Sequence, residues 1–234
     1  MEIAEYTWSD ICRELWKGQS YGRSYMNAIV KNLNIEGPVI DVGAGGYGST
    51  GYHYLMKELQ DLEHITLDID ESKDPTYCID LESEQIPDDI SPRTALSFNF
   101  FEQIYHYQDI SDKIFDSLVP GGIFYGWVPF LHRVHRNPSD YFRYTDEAIE
   151  AFLSNSGFED ITIEPAGNGA IMACLNQIDF VVPRYVAPVL YLISKPVDWI
   201  LSRPSGGKYR NESDYPLGYF WCARKQGRTA GDGD

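Results

Sequence analysis

Basic side chains are scarce in this sequence. It contains 19 Lys and Arg against 35 Asp and Glu, which gives a formal net charge of −16 at pH 7. Nucleic acids and anionic membrane surfaces both bind through clustered basic side chains. The deficit therefore argues against nucleic acid and against an anionic membrane as partners. It leaves neutral acceptors, such as sugars, phenols and lipid-like molecules, open.

Cysteines and long apolar runs are also few. The four cysteines are far apart and form no Cys-x-x-Cys pair, so we expect reduced structural thiols in a cytoplasmic protein. The first residues lack the basic region and the apolar core of a signal peptide. The most apolar later segment, 178–193, is interrupted by prolines and charged residues, which argues against a spanning helix. We therefore expect no transmembrane segment.

The remaining composition is that of a globular protein. With 234 residues, 43% of them hydrophobic, the chain can bury the core of one domain that carries an inserted subdomain. Strand and helix signals alternate along it, and such alternation builds a parallel sheet with helices on both faces. The predicted strands are 39–43, 64–69, 77–80, 94–99, 123–128, 160–164 and 219–224.

Helix signals lie between several of these strands. Apolar residues at spacings of three and four predict a helix over 52–62. A second helix is predicted over 111–119, where Pro120-Gly-Gly would end it. Thr145 can cap a third helix, which Gly157 would end.

A glycine turn follows the first predicted strand. Its sequence is Asp41-Val-Gly-Ala-Gly-Gly-Tyr-Gly48. Glycines let a backbone approach a ligand closely, and the free N–H groups at the start of a following helix face that ligand. A strand, an acid, a glycine turn and a helix in this order indicate a nucleotide-cofactor site.

Two kinds of cofactor compete for this turn. Gly43-x-Gly45-x-x-Gly48 fits the dinucleotide fingerprint, and Asp68 falls 20 residues past Gly48, where a ribose-binding acid is expected. Asp41, however, stands where a dinucleotide fold usually has an apolar residue. Its carboxylate would repel a pyrophosphate, whereas it can hold a cationic amino-acid group directly or through water.

Four segments resemble, in the right order, the class I S-adenosylmethionine-dependent methyltransferases. They are Val39-Ile-Asp-Val-Gly-Ala-Gly45, Leu67-Asp-Ile69, Cys78-Ile-Asp-Leu81 and Leu118-Val-Pro-Gly-Gly122. The resemblance covers 36–166 and 217–225. It implies an α/β fold with a Rossmann-like seven-stranded sheet, mostly parallel with an antiparallel last strand, and helices on both faces. About fifty residues rich in Pro and apolar groups lie between strands six and seven, and they predict a helical insertion there.

The same resemblance implies S-adenosyl-L-methionine as cofactor and S-adenosyl-L-homocysteine as product. The implied cofactor-binding residues are Asp41, Gly43, Ala44, Gly45, Gly48, Asp68, Ile69, Asp80, Leu81 and Asn99. Asp68 would bind both ribose hydroxyls, with Asp70 as a competing ligand, and Asp80 would face the adenine amino group. The sequence departs from the family at Tyr47, where a glycine is frequent, and at Gln103, where a His is frequent after a Glu.

The predicted organisation has five parts. They are an N-terminal helical cap over 1–35, the cofactor-binding core over 36–166, an apolar insertion or lid over 167–216, the last core strand over 217–226 and a disordered tail over 227–234. The insertion would complete the core, cover an apolar acceptor or form a dimer surface, so a homodimer is among the expectations. Tyr21, Arg23 and Tyr25 are candidates to close the cofactor pocket from the N-terminal side.

A polar segment follows the fifth predicted strand. Residues 132–145 contain two His, three Arg, one Asp and two Tyr, more convergent polar groups than a plain connection needs. The segment is similar to a V-P-F-x-x-x-x-H-x-x-P-x-D-Y-x-R-Y-T pattern in a bacterial methyltransferase subfamily associated with surface-polysaccharide or secondary-metabolite pathways. That match implies an acceptor site formed by His135, Asp140, Arg143 and Tyr144.

Acceptor chemistry assigns roles within this segment. A hydroxyl acceptor must lose its proton, and His is the usual base near neutral pH. We expect His135 to be the base or an acceptor ligand, with Asp140 either orienting it or pairing with Arg143. Alternatively, Asp140 and Arg143 form a structural pair and Tyr144 belongs to the core. His132 could form a metal pair with His135, but no third ligand is evident, so we expect no metal.

The sequence therefore predicts methyl transfer from S-adenosylmethionine to a small-molecule or glycan acceptor, with a hydroxyl favoured. Two alternatives stay open. One is an NAD(P)-dependent oxidoreductase, and the other is a methyltransferase-like domain that binds without catalysis.

Overall fold

A computed structural model describes residues 5–46, 48, 52–167, 169–202 and 212–227. Seven strands form one sheet in the order β3-β2-β1-β4-β5-β7-β6. They are β1 (Val39–Val42), β2 (His64–Asp68), β3 (Tyr77–Cys78), β4 (Thr94–Phe98), β5 (Ile123–Pro129), β6 (Glu159–Ala166) and β7 (Gly218–Arg224). β7 runs antiparallel to both of its neighbours, and the other pairs are parallel. The predicted sheet, with its antiparallel last strand, is confirmed.

Helices cover both faces of the sheet. They are α1 (Trp8–Trp16), α2 (Tyr21–Val30), α3 (Tyr107–Ser117), α4 (Asp146–Ser156), α5 (Ala170–Gln177) and α6 (Ala187–Leu201). Successive strand residues point to opposite faces, so Leu96 packs with α1, α2, α5 and α6 whereas Ala95 packs with α3 and α4. Two apolar cores therefore enclose the central strands, which accounts for their continuous apolar sequence.

The local signals of α4 are confirmed. The Thr145 hydroxyl accepts a hydrogen bond from the N–H of Ala148, and Asp146 and Glu147 lie in the first turn, where the helix dipole favours acids. Gly157 ends the helix with φ +99°, a left-handed conformation that costs glycine little.

One helix prediction is wrong, and another is right about the helix, α3, but wrong about its C-terminal cap. Residues 52–62 contain two short 3-10 helices, His53–Leu55 and Lys57–Gln60, instead of one α-helix. The side chains of the adjacent residues Tyr52 and His53 both reach Asp41, and neighbouring positions of an α-helix do not face the same way. The hydrogen bonds of Tyr52 and His53 to Asp41 therefore determine the backbone here, and the apolar spacing does not.

The second wrong prediction concerns the glycines before β5. α3 ends at Ser117, and Leu118 caps it in an extended conformation. The N–H of Gly122 instead bonds the carbonyl of Val119 at 2.9 Å, and Gly121 has φ +85°. These glycines form the turn into β5 and do not cap the helix.

The chain between β6 and β7 contains α5 and α6, and α6 carries a buried acid. Asp198 is buried and accepts hydrogen bonds from the N–H groups of Ile171 and Met172, at the start of α5. Val189 and Ile193 are exposed on the opposite side. Among the described residues, no helix combines the length and apolar content needed to cross a membrane. The tail predicted over 227–234 lies, from residue 228 onward, outside the described residues.

Candidate active site

A cavity of about 790 Å³ opens at the carboxyl ends of β1, β2, β4 and β5. Open α/β sheets bind their ligands at this edge, and the volume is that of a small-molecule site. Eleven of the predicted site residues line the cavity: Gly43, Ala44, Asp68, Ile69, Asp80, Leu81, Asn99, His132, His135, Asp140 and Arg143. The fold thus brings the predicted cofactor and acceptor residues together in one cavity.

Three predicted cofactor residues, Asp41, Gly45 and Gly48, are not among the residues that line this cavity. Asp41 lies fully buried beneath the glycine turn. Its carboxylate accepts hydrogen bonds from Tyr52 at 2.9 Å and from His53 Nε2 at 2.9 Å. The carboxylate expected to hold a cationic ligand therefore binds the protein itself.

His53 links Asp41 to the glycine turn. The N–H of Gly48 donates to His53 Nδ1 at 2.9 Å, so Nδ1 carries no proton and Nε2–H points to Asp41. Burial raises the pKa of the Asp41 carboxyl, but hydrogen bonds from His53 and His64 outweigh burial, and the pKa lies below its usual value. Asp41 therefore supports the turn as an ionised anchor.

The hydrogen bond from Gly48 to His53 also bears on a cluster of three side chains that could, by their spacing, hold a metal ion. One ligand atom from each of Asp41, His53 and His64 lies within 4.8 Å of the others. A metal ion would need the lone pair of His53 Nε2, but that nitrogen carries the proton because Nδ1 accepts from Gly48. These three side chains are therefore arranged as a hydrogen-bond network and not as a metal site.

Two acidic residues follow β2, and the structure distinguishes them. Asp68 is buried at the strand end, where its carboxylate accepts from the N–H of Asp70 at 2.8 Å and from Lys73 Nζ at 3.3 Å. Asp70 is exposed and uses its carboxylate to cap the 3-10 helix Glu71–Lys73. Both line the cavity, but of the two only Asp68 is buried.

The residues after β3 frame the same end of the cavity. Asp80 closes its own turn, because its carboxylate accepts from the N–H of Glu82 at 2.9 Å and from the Ser83 hydroxyl at 3.1 Å. Leu81 is buried, whereas Ile69 is 59% exposed, and both line the cavity. This part of the cavity offers apolar side chains beside one carboxylate.

Asn99, at the end of β4, has a strained backbone. Its φ is +58°, which few residues other than glycine adopt and which often marks a functional position. Its side-chain amide donates to Met26 Sδ at 3.3 Å, and Gln103 Nε2 donates to its carbonyl at 2.8 Å. The strained residue is therefore held in place from both sides.

The start of α2 supplies a cation to the cavity. Arg23 lines the cavity, and its guanidinium lies 5.7 Å from the Tyr52 ring. Burial lowers the pKa of Arg23, and its buried Nε has no hydrogen-bond partner among the described residues. Of the three residues expected at this end, Tyr21 and Tyr25 are instead buried in the apolar core.

In the segment after β5, Asp140 pairs with Arg143. Arg143 Nη1 bonds Asp140 Oδ1, and Nη2 lies 2.7 Å from Oδ2. The hydrogen bond from Arg143 holds the pKa of Asp140 below its usual value. Asp140 Oδ2 also accepts the backbone N–H of His135 at 2.7 Å. Of the two roles considered for Asp140, the structure shows the pairing with Arg143, and it positions the backbone of His135 rather than its ring.

The two histidines and Tyr144 differ in environment. His132 is half-buried, and burial together with nearby Arg143 lowers its pKa. His135 is exposed, and the two imidazole centroids lie 6.4 Å apart. Tyr144 is buried, with its hydroxyl on the carbonyl of Phe101 at 3.2 Å. Tyr144 is thus a core residue, as the alternative interpretation held.

Glu102 was not predicted as a site residue. It is only 5% exposed and lines the cavity between Asn99 and the Asp140–Arg143 pair. Burial raises the pKa of its carboxyl to about 8. Two signals in the sequence pointed to it: its place after β4, three residues past Asn99, and its match to the Glu that precedes the frequent His in the family.

No protein-family model matches the chain, and no curated protein matches it. Solved structures do. A SAM-dependent methyltransferase from Archaeoglobus fulgidus is 19% identical, with a TM-score of 0.51 over 94% of this chain and 95% of its own. A SAM-dependent methyltransferase from Thermotoga maritima, a possible histamine N-methyltransferase, is 13% identical, with a TM-score of 0.52 over 94% and 93%.

A third similar structure widens the range of chemistry. The [4+2]-cyclase SpnF is 15% identical, with a TM-score of 0.57 over 97% of this chain and 89% of its own. Because a cyclase appears beside methyltransferases, the fold does not by itself specify the reaction. What these structures share with the chain is the architecture of the sheet and its helices. We conclude that this chain has the class I, Rossmann-like fold of the SAM-dependent methyltransferases.

Proposed function

We propose that the protein transfers a methyl group from S-adenosyl-L-methionine to a hydroxyl of a small-molecule or glycan acceptor. One observation carries this proposal. The cavity at the carboxyl edge of the sheet joins the acids and glycine turn expected for this cofactor to the polar segment 132–143. A cofactor end and an acceptor end in one cavity are what group transfer requires.

The residues of the cofactor end match the parts of S-adenosylmethionine. In this proposal Asp68 binds the ribose hydroxyls, and Asp80 with Ile69 and Leu81 binds the adenine; all four residues line the cavity. Arg23 supplies a buried cation for the amino-acid carboxylate, a role that its partnerless Nε supports. When bound, the cofactor supplies a methyl group already activated on a sulfonium.

The residues of the acceptor end orient the second substrate. Alignment of two reactants can account for about 7–11 kcal/mol of a barrier. His132 and His135 are candidate ligands or bases for the acceptor, and Arg143, held by Asp140, adds a fixed guanidinium to the same wall of the cavity. The lowered pKa of His132 keeps its imidazole neutral near pH 7 and able to accept a hydrogen bond.

Cofactor binding tests this function. We expect S-adenosylhomocysteine to raise the melting temperature, because a ligand at a hundredfold excess over Kd stabilises a protein by about 2.7 kcal/mol. Asp68→Asn should weaken that binding about tenfold or more, since a charge-assisted hydrogen bond contributes about 1.5–3 kcal/mol. The matched control, Asp70→Asn, should bind S-adenosylhomocysteine like the wild type.

Two results would contradict the proposal. A melting shift with NAD(H) and none with S-adenosylhomocysteine would favour an oxidoreductase. Binding of S-adenosylhomocysteine without methyl transfer from labelled cofactor to sugar nucleotides, glycans or phenols would favour a binding domain without catalysis.

A further inference from the structure

Glu102 is a buried carboxyl group on the wall of the cavity. It lies in the 3-10 helix Phe101–Gln103, directly after β4, and is 5% exposed. Its backbone carbonyl accepts the N–H of Tyr141 at 2.7 Å and that of Phe142 at 3.3 Å. Glu102 therefore connects the strand that carries Asn99 to the segment that carries Asp140 and Arg143.

The second carboxyl oxygen of Glu102, Oε2, sets this residue apart. Oε2 is buried and has no hydrogen-bond partner among the described residues. A buried polar atom left without a partner is costly, so a native protein that keeps one calls for an explanation. The nearby charges are Arg143 and Asp140, but these two already satisfy each other.

A purely structural role does not account for this arrangement. Glu14 shows the contrast, because it is equally buried but receives hydrogen bonds from Lys17 at 2.6 Å and Asn27 at 2.7 Å. Glu102 lines the cavity and Glu14 does not. Of these two buried carboxyl groups, Glu102 is therefore the one that a ligand in the cavity can reach, and it is also the one with the unpartnered oxygen among the described residues.

We propose that Glu102 Oε2 binds the nucleophilic hydroxyl or amine of the acceptor and takes its proton during methyl transfer. This inference rests on the proposed function and assigns the base at the same site. His135, which is exposed, then binds the acceptor instead of deprotonating it. A base works best when its pKa is near the working pH, and burial places that of Glu102 at about 8.

The step balances without another reactant. The acceptor's lone pair forms the new bond to the methyl carbon, and the pair of the broken carbon–sulfur bond stays on sulfur. The acceptor's proton moves to Glu102 Oε2. One negative charge on the carboxylate and one positive charge on the sulfonium are both neutralised.

Proton release on ligand binding tests the proposal without a known acceptor. Sinefungin carries an ammonium where S-adenosylmethionine has its methylsulfonium, whereas S-adenosylhomocysteine is neutral there. Calorimetric titrations at pH 7 in two buffers of different ionisation enthalpy measure the protons exchanged. The wild type should release about one proton with sinefungin, because a cation beside Glu102 favours its ionised form. It should release none with S-adenosylhomocysteine.

Variants complete the test. Glu102→Gln should bind S-adenosylhomocysteine normally and release no proton with sinefungin. Glu102→Leu, an apolar replacement, takes its place if the Gln variant does not fold. Glu82→Gln is the matched control, since Glu82 is an exposed cavity carboxylate held by the N–H groups of Tyr105 and His106, and it should release a proton like the wild type.

The outcomes separate this inference from the proposed function. Release that persists in Glu102→Gln, or equal release with both ligands in the wild type, would overturn the role of Glu102 while leaving cofactor binding intact. Failure of the wild type to bind either ligand would overturn the proposed function and this inference with it.

Discussion

His53 joins two parts of the candidate site that are separate in the sequence. Its Nε2–H bonds the buried Asp41, and its Nδ1 accepts the N–H of Gly48. The acid of the glycine motif therefore reaches Gly48 through an imidazole, while Tyr52, which also donates to Asp41, lines the cavity. A loop rich in glycine has little intrinsic preference for one conformation, so this connection helps to fix its shape.

His53→Ala should loosen the turn and weaken the fold. The buried Asp41 carboxylate loses a charge-assisted hydrogen bond, which should lower the free energy of unfolding by about 1.5–3 kcal/mol. Affinity for S-adenosylhomocysteine should fall together with stability. Urea unfolding and calorimetric titration measure the two effects.

An exposed histidine provides the control for that change. His106→Ala should alter stability by no more than about 0.5 kcal/mol, as is usual for surface positions. A His53→Ala variant as stable as His106→Ala, with unchanged affinity, would show that the connection through His53 does not support the turn.

For single residues, the sequence predicted the location correctly where a residue lies at the end of a strand. Asp68 and Asn99 follow strands that the apolar pattern identifies, and both line the cavity. The pattern does not show that Asp41 and Gly48 have protein partners, because His53 and His64 reach them through tertiary contacts. Glu102 was missed as a site residue for a similar reason, since its burial depends on the segment around Tyr141.

Among the elements, the contact between β5 and β7 tolerates little change. Gly126 stands opposite Trp221 in the register of the two strands. The buried indole of Trp221 packs edge-to-face against Phe101, Phe124 and Phe152. A side chain at Gly126 would overlap the indole, so the glycine makes room for the largest side chain of the core.

Gly126→Ala should therefore destabilise the sheet. Overpacking of a core costs about 1–3 kcal/mol, and thermal or urea unfolding should show a loss in that range. Gly22→Ala, in α2, is the matched control, because its added carbon would meet Asn176 at 3.8 Å, an ordinary contact. Replacing glycine by alanine in a helix should stabilise by up to about 1 kcal/mol. Equal stability of the two variants would contradict the packing argument.

The elements also show which sequence signals are decisive. Caps act within one turn of chain, so Thr145 and Gly157 fixed the ends of α4 correctly. The apolar spacing over 52–62 did not produce an α-helix, although Tyr52, Met56 and Leu59 are buried as that spacing suggests. Periodicity thus identified the buried side of this segment, whereas the bonds to Asp41 determined its backbone.

For the whole molecule, the excess of acid is the dominant property. A net charge of −16 destabilises a compact state through self-repulsion. The ion pair Arg93–Glu36 involves two exposed side chains, and pairs of this kind contribute little. Screening by salt should therefore weaken the repulsion between acidic side chains more than it weakens the attraction within ion pairs.

Stability should rise with salt. Between about 0.01 M and 0.1 M ionic strength the screening length falls from about 30 Å to about 10 Å. A gain of 1 kcal/mol would raise the melting temperature by roughly 2–4 °C for a chain of this size. Sucrose at equal osmolality is the control for effects unrelated to charge. A melting temperature that falls with salt would mean that attractive pairs outweigh the repulsion.

The pairing of β6 with β7 has a consequence for how the protein can diversify. Ala166 and Gly218 stand opposite each other at the end of the ladder, and the N–H of Leu217 bonds the carbonyl of Ala166 at 2.9 Å. The two strands therefore form a hairpin in which α5 and α6 occupy the place of the turn. Lengthening a closed loop adds little entropy cost, so this segment can change in length while every strand keeps its register. Asn176 and Leu217 bring it to the cavity wall, so a change in its length would reshape the cavity without redesigning the sheet.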